Sequence, residues 1–112
     1  MTFQTLLRAD LDVARHALDQ VHPLLDPLVL LGRVQWALSE IRAKVDAAPA
    51  TDQALAGVDQ AANALIGRLN TVLLSPGALV PEREALTAAF DGLERVFDVA
   101  VPSPAARVLH GV

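Results

Sequence analysis

The sequence contains no cysteine among its 112 residues. This absence excludes disulfide bonds, thiolate zinc sites and cysteine nucleophiles. Aromatic residues are also scarce, at 4% of the chain, although hydrophobic residues reach 53%. The expected core is therefore built mainly from Leu, Val and Ala, a set of residues that favours helices over sheets.

Dense clusters of one charge and long apolar runs are absent too. The formal charge of −4 comes from 13 acidic and 9 basic residues, and no group of Lys and Arg is dense enough to neutralise a nucleic-acid backbone. The N-terminal residues lack the apolar region of a signal peptide. Arg33 interrupts the most apolar segment before it reaches the length of a membrane span. These features predict a cytoplasmic protein that neither binds nucleic acid nor spans a membrane.

The 7 prolines divide the chain into segments that are long enough for helices. A residue that precedes proline is disfavoured in a helix, whereas proline itself is accepted in the first turn. We predict an all-α fold, a four-helix up-down-up-down antiparallel bundle over 1–100 with a short irregular C-terminal tail at 101–112, because short connections favour antiparallel neighbours. The helices are expected over 2–21, 27–47, 51–74 and 81–100.

Capping residues predict where two of these helices begin. Asp26 precedes Pro27, so that the Asp side chain caps a helix whose first residue needs no N–H donor. Thr51 is the expected N-cap of the third helix.

Each predicted helix has an apolar seam at alternating spacings of three and four residues, which places the members of the seam on one face. The expected core residues are Leu7, Leu11, Ala14, Leu18 and Val21 in the first helix, Leu31, Val34, Leu38, Ile41 and Val45 in the second, Leu55, Val58, Ala62, Leu65, Leu69 and Val72 in the third, and Leu86, Phe90, Leu93 and Phe97 in the fourth.

The second helix also has apolar residues on the side opposite its seam. Val29, Gly32 and Trp36 lie on this second face, and Leu25 precedes the helix in line with them. One interpretation is that a loop or the tail partly covers Trp36, since a single exposed apolar residue needs no explanation. The other interpretation is a subunit interface in which Trp36 is the anchor and Gly32 permits the close approach of a partner helix.

The first helix adds a minor apolar side stripe that consists of Leu6, Val13 and Ala17. Two apolar stripes on adjacent helices favour association. The leading hypothesis from the sequence is therefore a non-enzymatic interaction or assembly module, which forms a homo-oligomer or serves as an accessory subunit of a larger complex.

A catalytic constellation is not found in the sequence. His16 shares a helix face with Asp12 and Asp19, but that face points away from the seam, whereas metal sites in helical bundles project inward from several helices. There is also no phosphate-binding loop, no G-x-S-x-G and no HExxH. We expect a solvated polar cluster, with no catalytic residue, metal or cofactor.

The alternative hypothesis is a carrier of a hydrophobic small molecule in the bundle core. Asp59, Asn63 and Asn70 flank the seam of the third helix, where they would line a ligand pocket. The simpler interpretation is that they are boundary positions bonded to water or to a neighbouring helix. Arg68, Arg83 and Arg95 are expected to be solvated charges on the helix surface.

Overall fold

The computed structural model describes residues 2–20, 27–71 and 80–104. These residues form four helices, and the all-α prediction is confirmed. The helices are α1 (Phe3–Gln20), α2 (Pro27–Lys44), α3 (Pro49–Thr71) and α4 (Val80–Val96).

The helices form an up-down-up-down bundle in which α1 packs against α2 and α4, and α3 packs against α2 and α4. Ion pairs between α1 and α4 show that these two helices run in opposite directions. Arg8 contacts Glu94 of α4 at 4.0 Å and Asp98, in the turn just after α4, at 3.1 Å, whereas Arg15, two turns later in α1, contacts Asp91 at 2.9 Å. The Arg15 guanidinium also lies 5.7 Å from the centre of the Phe90 ring. Charged side chains therefore cover the contact between α1 and α4 on this surface of the bundle.

The starts of the first three helices compare with the capping predictions as follows. The Thr2 hydroxyl accepts a hydrogen bond from the Thr5 N–H at 3.1 Å and caps α1. The helix α2 begins at Pro27 as predicted, and its predicted cap, Asp26, lies outside the described residues. The predicted N-cap of α3 is wrong. This helix begins at Pro49, whose missing N–H costs nothing in the first turn, and the Asp52 N–H already donates to the Ala48 carbonyl at 2.9 Å. Thr51 consequently lies inside the helix and is buried.

The helix α2 ends at Lys44, three residues before the predicted end at Ala47. Residues 101–103, which are distant in the sequence, provide hydrogen-bond partners at this end of the helix. The Asp46 N–H donates to the Val101 carbonyl at 2.7 Å, and the Ser103 N–H donates to the Lys44 carbonyl at 2.8 Å. The first residues of the predicted irregular tail thus satisfy carbonyls that a helix end leaves without partners. Residues 105–112 of that tail lie outside the described residues.

The helix α4 ends at Val96, although the apolar pattern predicts helix to Ala100. The N–H groups of Phe97, Val99 and Ala100 donate to carbonyls three residues earlier, as in a tight turn. This turn redirects the chain toward the end of α2. The Phe97 side chain is nevertheless fully buried, so its assignment to the core is correct.

The core follows the predicted seams wherever the structure describes their side chains, with one exception in α2. Leu30 is fully buried, whereas the predicted Leu31 is only half-buried and packs against the edge of the core. Leu30 lies four residues before Val34, and Leu31 lies three residues before it. On an α-helix the four-residue spacing keeps two side chains closer to the same direction, so Leu30 rather than Leu31 continues the seam. Val21, Leu69 and Val72 lie outside the described side chains.

A largely covered ion pair connects α1 with α2. The Lys44 ammonium contacts the Asp10 carboxylate at 2.6 Å and the Glu40 carboxylate at 3.3 Å, and the side chains of Lys44 and Asp10 are only 19% and 13% exposed. Burial lowers the pKa of Lys44, but hydrogen bonds and charge attraction from Asp10 and Glu40 outweigh this effect. The pKa of Lys44 is therefore raised above its usual value of 10.5.

The burial of Leu65 generates a prediction about stability. Leu65 is 1% exposed in α3, and Leu65→Ala is expected to lower the free energy of unfolding by about 2–5 kcal/mol because the truncation leaves a cavity. Chemical denaturation of the parent and the variant measures this loss. Gln60→Ala, at an exposed position of the same helix, is the control and should unfold like the parent. Equal stability of Leu65→Ala and the parent would mean that the register of α3 is wrong.

The ion pair of Lys44 generates a second prediction. At neutral pH, Lys44→Met should cost roughly 1–3 kcal/mol of unfolding free energy, between the values for exposed and buried ion pairs. Since the folded-state pKa is raised, the contribution of the pair is fully present below pH 10.5 and is lost as the pH rises through the folded-state pKa. Thermal melts of both proteins across the alkaline range measure the difference. Arg42→Met, an exposed cation on the same helix, is the control. A loss that does not change with pH would contradict this account.

Candidate functional site

The candidate site is the solvent-facing side of α2, which we call the outer face. It consists of Val29, Gly32, Trp36, Ser39 and Ala43, which follow one another at spacings of three and four residues and are all exposed. Trp36 is 47% exposed and Val29 is 52% exposed. The rotation of α2 that buries its core side chains turns these positions toward solvent. Val29, Gly32 and Trp36 were predicted from the sequence, whereas Ser39 and Ala43 were not, although they continue the same spacing.

The predicted side stripe of α1 adds less to this surface than expected. Ala17 is buried and belongs to the core, and Leu6 and Val13 are half-buried. The reason is that α2 packs against this side of α1, where Asp10 binds Lys44. Leu25 lies outside the described residues. The apolar part of the surface is therefore centred on Trp36 and Val29.

Polar residues border the outer face on both sides. Arg33 and Glu40 lie on the border that faces α1, since Glu40 shares the Lys44 ammonium with Asp10. Arg33 is exposed and has no ion-pair partner among the described residues. Gln35 and Arg42 lie on the opposite border and are exposed. An apolar centre with a polar rim is the usual composition of a protein–protein contact.

The polar cluster around His16 lies on the surface of α1. His16, Asp12 and Asp19 are all exposed, as predicted. Within the part of the chain that the structure describes, no group of three His, Cys, Asp or Glu side chains is placed to hold a metal ion. The arrangement therefore gives no support to acid–base or metal chemistry at these residues.

The described structure does not bring together the three residues that were predicted to line the alternative ligand pocket. Asp59 is half-buried, Asn63 is exposed, and the Asn70 side chain lies outside the described residues. A pocket of about 400 Å³ occurs elsewhere, on the surface of α4, and it is open to solvent. Its lining residues are Val80, Arg83, Glu84, Thr87, Ala88 and Asp91.

Of the three arginines that were expected to be solvated charges, Arg95 is exposed as predicted, whereas Arg68 and Arg83 make specific contacts. Arg68 binds Glu82 at 3.1 Å and so connects α3 with α4. Arg83 donates to the Leu18 carbonyl at 3.2 Å, which lies in the last turn of α1, where helix carbonyls need external donors. Neither contact is visible from sequence spacing, because each one joins different helices.

Comparisons with protein-family models, with curated proteins and with solved structures found no match. Among the described helices, none combines the length and the apolar character that a membrane crossing requires. The residues of the outer face are therefore the basis for any assignment of function.

The exposure of His16 generates a prediction about metal binding. Micromolar Zn²⁺ should leave the NMR signals of the His16 ring unchanged, because one exposed imidazole beside two exposed carboxylates is not a preorganised site. His16→Ala is the control for the assignment of those signals. A saturable shift at micromolar zinc would show that the cluster binds metal after all.

Proposed function

We propose that the protein is a helical association module that binds another protein through the outer face of α2. The observation that carries this proposal is the exposure of Trp36 and Val29 on the helix side opposite the core. Trp is the residue type most enriched among those that dominate binding energy at protein interfaces. The partner is a second copy of the chain or the larger complex to which the chain belongs.

The distribution of charge over the bundle supports the same face. Between α1 and α4, Arg8 and Arg15 pair with Asp91, Glu94 and Asp98, so that a partner there would have to displace or desolvate several ion pairs. The outer face of α2 has no charged side chain at its five positions. Desolvation therefore costs less at this face than between α1 and α4, and an apolar partner surface gains more there.

The carrier hypothesis gains no comparable support from the described residues. Asn63 is exposed rather than directed into the core, and the pocket on α4 is open to solvent and includes neither Asp59 nor Asn63. Two of the charged groups that line this pocket already have partners, because Arg83 binds the Leu18 carbonyl and Asp91 binds Arg15. We therefore retain association as the single proposed function.

The substitution Trp36→Glu tests the proposal. It should weaken association by more than tenfold, because burying an aromatic anchor at the centre of an interface is commonly worth about 2 kcal/mol or more. Helical content should stay intact, since the core side chains of α2 lie on the other side of the helix. Sedimentation velocity over a range of concentrations measures the association, and far-UV circular dichroism measures the helical content.

A matched control for this experiment is Val80→Glu, which places the same charge at an equally exposed apolar position of α4. It should leave association unchanged. If the purified chain is monomeric at every concentration, the accessory-subunit form of the proposal remains, and a reconstituted complex with the partner should then lose affinity with Trp36→Glu only. If Trp36→Glu unfolds the chain, or changes neither form of association, the proposal is wrong.

A further inference from the structure

Gly32 is not required by the packing of its own chain. Glycine inside a helix costs roughly 1 kcal/mol relative to alanine, and the usual reason for accepting that cost is a close contact that a side chain would obstruct. A Cβ atom added at Gly32 would meet no atom within 4 Å beyond its own helix. The same holds for Gly57, Gly67 and Gly92, so Gly32 is distinguished by its place on the outer face beside Trp36.

The side chain of Trp36 lies on the same helix face one turn away. The outer face thus has a large projecting side chain next to a position that has no side chain. If a second α2 is placed against the first in the opposite direction, with the two-fold axis between these positions, Trp36 of each copy covers the partner's Gly32. Both contacts form at once, because a two-fold interface is self-complementary.

The charges on the border of the outer face favour the same direction. In an antiparallel two-fold pair, the border that contains Arg33 and Glu40 meets the same border of the other copy. Helix side chains lean toward the N-terminus of their own helix, so Arg33 and the partner's Glu40 lean toward each other. In a parallel pair this border would instead meet the border of Gln35 and Arg42, which offers Arg33 no carboxylate.

We propose that the partner bound by the outer face is a second copy of this chain, and that the two α2 helices pair antiparallel with Trp36 packed on the partner's Gly32. This inference rests on the proposed function and specifies its partner. The 18 residues of α2 present a face about 27 Å long and 10 Å wide, well below the roughly 800 Å² per partner of a standard stable interface. The homodimer is therefore weak and transient, and its detection needs concentrated protein or covalent trapping.

Disulfide trapping tests the geometry, because the chain has no cysteine of its own. The antiparallel pair places Val29 against the partner's Ser39, whereas two copies of the same position lie ten residues apart, or about 15 Å along the helix axis. A disulfide needs Cβ atoms within about 3.5–4.5 Å. An oxidised equal mixture of Val29→Cys and Ser39→Cys chains should therefore yield the mixed dimer in several-fold excess over either same-position dimer, as measured by intact mass.

Filling the bare position tests the contact itself. Gly32→Leu should weaken self-association at least tenfold in sedimentation while preserving or raising helical content, since leucine is the better helix former. Gly67→Leu in α3 is the matched control, because this glycine is also exposed and an added Cβ there also meets nothing within 4 Å. It should leave self-association unchanged.

The outcomes separate this inference from the proposed function. Self-association that Trp36→Glu abolishes, but that gives same-position disulfides or survives Gly32→Leu, would overturn the antiparallel contact and leave the association module standing. A chain that stays monomeric at high concentration and gives no mixed disulfide would overturn the second copy as partner. Mixed disulfides that form equally well in the Trp36→Glu background would also overturn the inference, because Trp36 would then contribute nothing to the pairing.

Discussion

The burial of apolar side chains on one side of α2 fixes the rotation of this helix, and the character of the surface depends on that rotation. Each fully buried aliphatic side chain stabilises the fold by about 1.5–3 kcal/mol relative to its exposed state. A half-turn of α2 would expose Leu30, Val34 and Ile41 and would bury Gly32, Ser39 and Ala43, which offer far less apolar side-chain area, in their place. Core packing therefore requires Trp36 to face solvent. Any function of the outer face is thus a consequence of the packing on the opposite side of α2.

Much of the fold was predictable because prolines and apolar spacing are local signals. Pro27 gave the start of α2, and the three- and four-residue spacing identified most core residues correctly. The predicted ends of α2 and α4 were wrong because long-range contacts decide them. Val45 and Asp46 pair with residues near Pro102 instead of continuing the helix, and a sequence pattern contains no information on that pairing. Leu30 was missed for a smaller reason, since Leu31 fits a seam almost equally well.

The candidate site was predictable only in part. The exposure of Val29 and Trp36 follows from their angular distance to the seam, which sequence spacing gives directly. The half-buried state of Val13 and the burial of Ala17 depend on how α2 lies against α1, which Asp10 and Lys44 make visible only in three dimensions. Contacts between helices need the relative register of those helices, and for this reason Arg68 and Arg83 could not be assigned partners in advance.

The hydrogen bond from the Ser103 hydroxyl to the Ala43 carbonyl spans 60 residues of sequence and links the order of synthesis to the order of folding. While the chain emerges from the ribosome, α1 and α2 are complete long before the segment that satisfies the end of α2 exists. Until then, the carbonyls of Ala43 and Lys44 remain hydrated, and the turn into α3 lacks its strand-like partner. A hairpin of α1 and α2 that formed before α4 was made would therefore have its α1–α2 ion pair but an open far end, and the residues that follow α4 would close that end last.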